Sequence, residues 1–155
     1  MALRGDRIAG QGVTIQYFMN ATGERGGVVI HSSTGSGVAL DDANAQVATP
    51  TGQAPSGTNP AGALLNDVVN LDLTRQHLNQ HKDEVQLGGK VTVLREGWIV
   101  TDVLATGISI TAGERAYYNT TGQFTNADAG SAPQVGRFAS SADSDGYAGV
   151  FVRVI

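Results

Sequence analysis

Lys90-Val91-Thr92-Val93-Leu94-Arg95, Gly97-Trp98-Ile99-Val100-Thr101, Ile108-Ser109-Ile110, Ala116-Tyr117-Tyr118 and Gln123-Phe124-Thr125 follow one another between residues 90 and 125. Each run is short and rich in β-branched and aromatic residues, which suit a pleated, half-buried surface. Gly88-Gly89, Glu96-Gly97, Ala112-Gly113 and Thr121-Gly122 punctuate them. Glycine enters positive-φ corners without steric cost, so these pairs mark tight turns. Farther on, Asp145-Gly146 precedes a closing run, Gly149-Val150-Phe151-Val152-Arg153-Val154-Ile155. Strands recurring every ~8–12 residues between turn signals predict a sandwich or barrel.

Working outward, Val69 to Thr74 alternates apolar and polar residues within Asp67-Val68-Val69-Asn70-Leu71-Asp72-Leu73-Thr74-Arg75, the period-2 sign of a half-buried strand. Gln76 to Asp83 is polar and reads as a short helix or an exposed connection. Near the start, Val13-Thr14-Ile15-Gln16-Tyr17-Phe18 and Val28-Val29-Ile30-His31 are further strand candidates. Leu3 to Gly12 carries two arginines and isolated apolar residues, the make-up of a terminal arm that a partner pins down. Residues 38–66 hold three of the four prolines among Gly, Ser and Thr, without amphipathic period, and read as a long loop. The expectation is a mainly β chain: a compact antiparallel β-barrel or sandwich with an extended N-terminal arm and at most one short helix. It is a single structural domain in three parts: the arm and first strands (1–37), the Pro/Gly/Ser-rich loop (38–66) and the β-rich core (67–155).

Composition narrows the function. The chain has 155 residues, enough for one domain with a real core. A net charge of −4 argues against nucleic acid, which calls for a basic face. Only 15% of residues are charged, and 21 are glycine, about twice the usual ~7% share. A surface of small polar groups packs against another protein at little desolvation cost, which suits a component of an assembly. Without cysteine there are no disulfides or thiolate sites. No apolar run approaches the ~20 residues needed to span a bilayer, and Met1 is not followed by a signal-peptide core, so neither a membrane nor Sec-type export is expected.

The candidates for chemistry are weak one by one. His77 and His81 stand at i, i+4 and would share a helix face, but Leu78 follows His77, no HExxH context exists, and no third metal ligand is evident. Gly35-Ser36-Gly37 lacks the spacing of a nucleophile elbow. Asp41-Asp42 and Asp83-Glu84 are adjacent acids of the kind usually solvated on short loops, whereas glycoside hydrolysis needs two carboxyls across a cleft. Thr34-Gly35-Ser36-Gly37 lacks the Lys-Ser/Thr of a phosphate loop. Asp143-Ser144-Asp145-Gly146 resembles a calcium-loop fragment without its distal acid, and a turn explains it better. Arg4-Gly5-Asp6 is a chance-length match, and Asn20-Ala21-Thr22 and Asn119-Thr120-Thr121 are glycosylation sequons only in a secreted eukaryotic chain, which nothing here indicates. No catalytic, cofactor or metal residue is assigned, and the chain is expected not to be an enzyme.

From Leu64 onward the sequence resembles the trimeric cement, or decoration, proteins of tailed-phage capsids. The resemblance runs from Leu64-Leu65-Asn66-Asp67-Val68-Val69-Asn70-Leu71-Asp72 through Asn79 to Gln86, and Gly88-Gly89-Lys90-Val91-Thr92-Val93 with Gly97-Trp98 continues it. It then passes through Ile110-Thr111-Ala112-Gly113-Glu114-Arg115-Ala116-Tyr117-Tyr118-Asn119-Thr120-Thr121-Gly122-Gln123-Phe124-Thr125. Val135-Gly136-Arg137-Phe138 and Asp145-Gly146-Tyr147 through Val154 complete it. Glu114-Arg115 departs from the Gly-Asp and apolar residue of many relatives, a change the turn tolerates. Trp98, Gly113, Tyr117, Gly122, Phe124 and Gly136 form the core and turn signature. The resemblance implies a virion protein made in the bacterial host cytoplasm. It would bind the outer capsid surface as a homotrimer and bridge subunits of the phage major capsid protein to stabilise the expanded shell. Leu3, Arg4, Arg7 and Ile8 are the expected arm contacts. The alternative is a carbohydrate-binding or adhesin-like module with Trp98, Tyr117 and Tyr147 as its platform.

Overall fold

In a computed structural model of the chain, residues 13–32, 46–67, 84–85, 90–128 and 130–154 are described. They form strands β1 (Val13–Met19), β2 (Gly23–Glu24), β3 (Val28–Ser32), β4 (Gln46–Ala48), β5 (Pro60–Asp67), β6 (Glu84–Val85), β7 (Lys90–Thr101), β8 (Arg115–Tyr118), β9 (Phe124–Thr125), β10 (Gly136–Phe138) and β11 (Ala148–Arg153). A single 3-10 turn covers Pro55–Gly57. The expected mainly β architecture is present.

The sheet runs β1-β4-β3-β5-β7-β11-β10-β8-β9, and β7 also pairs with β1. That extra pairing closes β1, β4, β3, β5 and β7 into a five-stranded barrel, with the remaining strands continuing as a second layer. Closure removes the open edges that an isolated sheet leaves to other chains. β2 and β6 make a separate small ribbon.

The twelve-residue β7 belongs to both layers. Residues from Val91 to Leu94 pair with β1 on one side and β5 on the other. From Glu96 to Thr101 the strand pairs with β11. Gly97, at φ 149, sits where one set of partners gives way to the other. The two runs separated by Glu96-Gly97 are therefore one strand with a corner, not two strands and a turn.

Two cores follow from strand alternation. Tyr17, Met19, Val29, Val47, Ala61, Leu64, Val91 and Val93 fill the barrel. Val28, Ile30, Ala63, Leu94, Ile99, Ala116, Tyr118, Phe124, Phe138, Val150 and Val152 are among those packed between barrel and second layer. Both faces of β3 are thus buried, which is why Val28-Val29-Ile30 is an unbroken apolar run instead of an alternating one.

The structure corrects two expectations. Residues 38–66 are not one long loop, because β4 and most of β5 lie within them. Small residues conceal these strands: Pro60-Ala61-Gly62-Ala63 has loop-like composition, yet Ala61 and Ala63 are fully buried. A narrow five-stranded barrel has room for little else, and proline is tolerated as a strand's first residue. Ile108-Ser109-Ile110 is not a strand, although Ile110 is buried. The alternating run Val69–Thr74 and the polar segment after it lie outside the described residues.

The hairpin of β8 and β9 clamps the second layer to the barrel. Gly122 turns it at φ 82, and its carbonyl accepts the Val28 N–H at 2.7 Å. A Cβ at Gly122 would come within 2.6 Å of the Val28 carbonyl oxygen. Behind it, the Tyr118 hydroxyl lies 2.7 Å from Thr58 Oγ1, which itself donates to the Pro55 carbonyl at 2.9 Å.

Candidate functional site

The face of the second layer that points away from the cores follows from the same alternation. In β11, Val150 and Val152 point inward, so Phe151 and Arg153 point out. In β7, Ile99 points inward and Glu96 and Trp98 point out. Trp98 and Phe151 are 41% and 43% exposed and are the large apolar side chains left in solvent among the described residues. They are cross-strand partners. The row continues in register, with Phe151 opposite Arg137 on β10 and Arg137 opposite Arg115 on β8. With strands about 4.8 Å apart, Trp98, Phe151, Arg137 and Arg115 make one band about 14 Å long across the sheet.

Local structure holds this band in place. The Trp98 indole lies over Gly149, where a Cβ would meet Nε1 at 3.2 Å and Cζ2 at 3.3 Å. Gly136 has its own constraint, because a Cβ there would overlap the Phe151 carbonyl oxygen. Arg137 donates through Nη1 to the Gly113 carbonyl at 2.9 Å. The turn bearing that carbonyl is tied down in turn. Glu114 Oε2 accepts from the Thr111 N–H and from Asn126 Nδ2, both at 2.9 Å. These hydrogen bonds, the backbone one foremost, lower the Glu114 pKa and keep its carboxylate charged.

Two hollows flank the aromatic pair. One, of about 500 Å³, is lined by Gln134, Gly136, Arg137, Phe151 and Arg153. The other, of about 440 Å³, is lined by Trp98, Val100, Ser140, Ser141, Asp143, Tyr147 and Gly149. Asp143 shapes the second by accepting from the Asp145 and Tyr147 N–H groups at 3.0 and 2.9 Å. The sequence Asp143 to Gly146 is accordingly a turn leading into β11, with Gly146 at φ 84. Trp and Arg are enriched among residues that dominate interface energies.

Of the residues singled out in sequence, Trp98 is placed differently from its grouping with core and turn residues. It is exposed, because its phase along β7 is that of Glu96. Tyr117 and Phe124 are buried in the β8–β9 hairpin, both tyrosines of the Tyr117-Tyr118 pair being covered. Gly113 and Gly122 sit at positive-φ turns, and Gly136 in the crowded β10–β11 pairing. Tyr117 therefore does not join Trp98 and Tyr147, whereas those two line one hollow. Leu3, Arg4, Arg7 and Ile8 lie outside the described residues, as do His77, His81, Asp41, Asp42 and Asp83. Among the described residues no three His, Asp or Glu side chains cluster as a metal site would require. The sequence reading missed Phe151, Arg137, Arg115 and Arg153 as one surface. The available signal was phase: Phe151 alternates with two valines and shares its face with Arg153.

A family model described as structural cement protein (E217 gp24/Pam3 gp6) matches residues 3–153, nearly the whole chain. No curated protein matches the chain.

Proposed function

The chain belongs to the phage structural cement protein family, and from that membership we propose that it binds the outer surface of a phage capsid as a trimer, bridging major capsid protein subunits and stabilising the expanded shell without catalysis. The family match over residues 3–153 is the observation that carries this reading. It is supported by a rigid double-layered fold whose exposed aromatics sit on one face.

The mechanism is linkage. A protein that binds only the assembled, expanded shell stabilises it by about RT ln(1 + [L]/Kd) per site, near 2.7 kcal/mol when free protein is at 100 times Kd. Trimerisation multiplies the effect, since tethering raises avidity by about 10²–10⁴ when all sites engage together. The protein would be made in the host cytoplasm and reside on the virion. Residues 1–12, with Leu3, Arg4, Arg7 and Ile8, would reach from the single folded domain to neighbouring capsid subunits.

Co-sedimentation of the full chain with expanded and unexpanded shells tests this, with mass photometry for the trimer. Selective binding to expanded shells and a higher shell melting temperature are expected. Equal binding to both forms, or none, refutes the reading. Deleting residues 1–12 is expected to leave the circular-dichroism spectrum intact and abolish binding, and retained binding by the truncated chain would remove the arm's role.

A second reading, a carbohydrate-binding module, is favoured by Trp98 and Tyr147 sharing a hollow with Asp143, Ser140 and Ser141. Glycan-array binding lost in W98A would support it, and a silent array would eliminate it.

A further inference from the structure

We propose that the band Trp98–Phe151–Arg137–Arg115 docks an extended segment of the capsid protein carrying an apolar anchor and, about three residues away, a carboxylate. This rests on the cement reading and names the surface and chemistry of the contact.

Three observations carry it. The first is charge. The whole chain is net −4, yet the band itself holds Arg115 and Arg137, while Arg153 at its border lies opposite Glu96 on β7. The second is an arrangement that costs the isolated fold. Arg137 and Arg115 are directly opposite on neighbouring strands, and like charges so placed are destabilising. One guanidinium of the pair is already fixed on the Gly113 carbonyl, which leaves its remaining donors oriented. A carboxylate set between the two converts repulsion into charge-assisted, forked hydrogen bonding. The third is the apolar pair. Trp98 and Phe151 adjoin the arginines in the same row, with the indole seated on Gly149 before any partner arrives.

The spacing follows from sheet geometry. The midpoint of Trp98–Phe151 and the midpoint of Arg137–Arg115 are two strand spacings apart, about 10 Å. A segment in the extended polyproline II conformation, rising ~3.1 Å per residue with about three residues per turn, covers that distance in about three residues and brings both side chains to the same face. The segment thus seats an apolar side chain on the aromatics and a Glu or Asp over the arginines.

The test uses the full-length protein and expanded shells in a co-sedimentation series from low to high NaCl, with R115E, W98A and the wild type. R115E sets a carboxylate opposite Arg137, so it folds at least as stably as the wild type by thermal melting. It is expected to weaken shell binding at least about tenfold at low salt and to flatten the salt dependence. W98A is expected to weaken binding by a similar factor while keeping the salt slope. Wild-type binding by R115E, with its salt slope intact, overturns the inference and leaves the cement reading standing. A loss confined to W98A, indifferent to salt, overturns it in favour of a stacking ligand such as a glycan. Failure of the wild type to bind shells overturns both readings.

Discussion

Gly62 stands where β5 bends between β3 and β7, and Gly62→Ala tests whether barrel closure depends on backbone contact there. Its φ is +146, a region that L side chains rarely adopt. A Cβ would overlap the Leu94 carbonyl oxygen and approach Val93 Cγ1 to 2.8 Å. Neither neighbour can retreat easily, since Leu94 lies in paired β7 and Val93 is fully buried in the barrel. Holding a residue in a sparsely populated conformation costs about 1–3 kcal/mol. Forcing a methyl into packed surroundings costs about 1–3 kcal/mol more. The sum, about 2–6 kcal/mol, is a large share of the ~5–15 kcal/mol that holds such a domain together. At about 3 °C per kcal/mol for a chain of this size, the melting temperature falls by roughly 6–18 °C. Thermal unfolding followed by circular dichroism measures it. Gly52→Ala is the control, because Gly52 also has positive φ (+73) but nothing within 4 Å of a built Cβ. It isolates the conformational part, about 1–3 kcal/mol. A Gly62→Ala melting temperature within 3 °C of the wild type, or equal to that of Gly52→Ala, would refute close approach as the reason for glycine.

Gln46 is 1% exposed, and neither its amide nitrogen nor its oxygen has a hydrogen-bond partner among the described residues. Gln46→Met removes two buried unsatisfied atoms at similar volume and is expected to raise stability by about 1–3 kcal/mol in urea titration. Tyr118→Phe deletes a buried hydroxyl but leaves Thr58 its bond to Pro55, so the loss is about 1 kcal/mol, measured the same way. Burial first, and the Arg95 charge second, lower the pKa of His31. The unfolded chain therefore takes up that proton more readily than the folded one. Stability is complete above the ordinary histidine value of ~6.5 and falls as pH drops from there toward the lowered folded value. His31→Gln is expected to flatten that part of the stability–pH curve, and an unchanged slope would exclude His31 as its source.

Much of the fold was legible because strand signals and turn signals alternate. Val13–Phe18, Val28–His31, the runs of β7, Ala116–Tyr118 and the closing strand lie where apolar, β-branched residues predict them. The hairpin at Thr121-Gly122 was legible for the same reason, with Asn119 Oδ1 accepting from Thr121 and Gln123 to complete it. β4, at three residues, was too short to show a pattern, and β5 was hidden because its Ala61-Gly62-Ala63 start uses residues that otherwise signal loops. The site was half legible. Trp98 was grouped with core and turn residues and, in the alternative, with a binding platform, and strand phase is what shows it facing out. Its neighbours Phe151, Arg137 and Arg115 come from three other strands, and their alignment is a matter of register, which no local pattern encodes.

The corner in β7 has a mechanical consequence. The strand that displays Trp98 outside also places Val93 inside the barrel, five residues away along one backbone. A partner pulling on the indole loads β11 through the rungs from Glu96 to Thr101, and the same covalent strand hands that load to β1 and β5. Outer layer and barrel share β7, so separating them means breaking the β7–β11 ladder, and a single cooperative transition is the expected outcome of thermal melting.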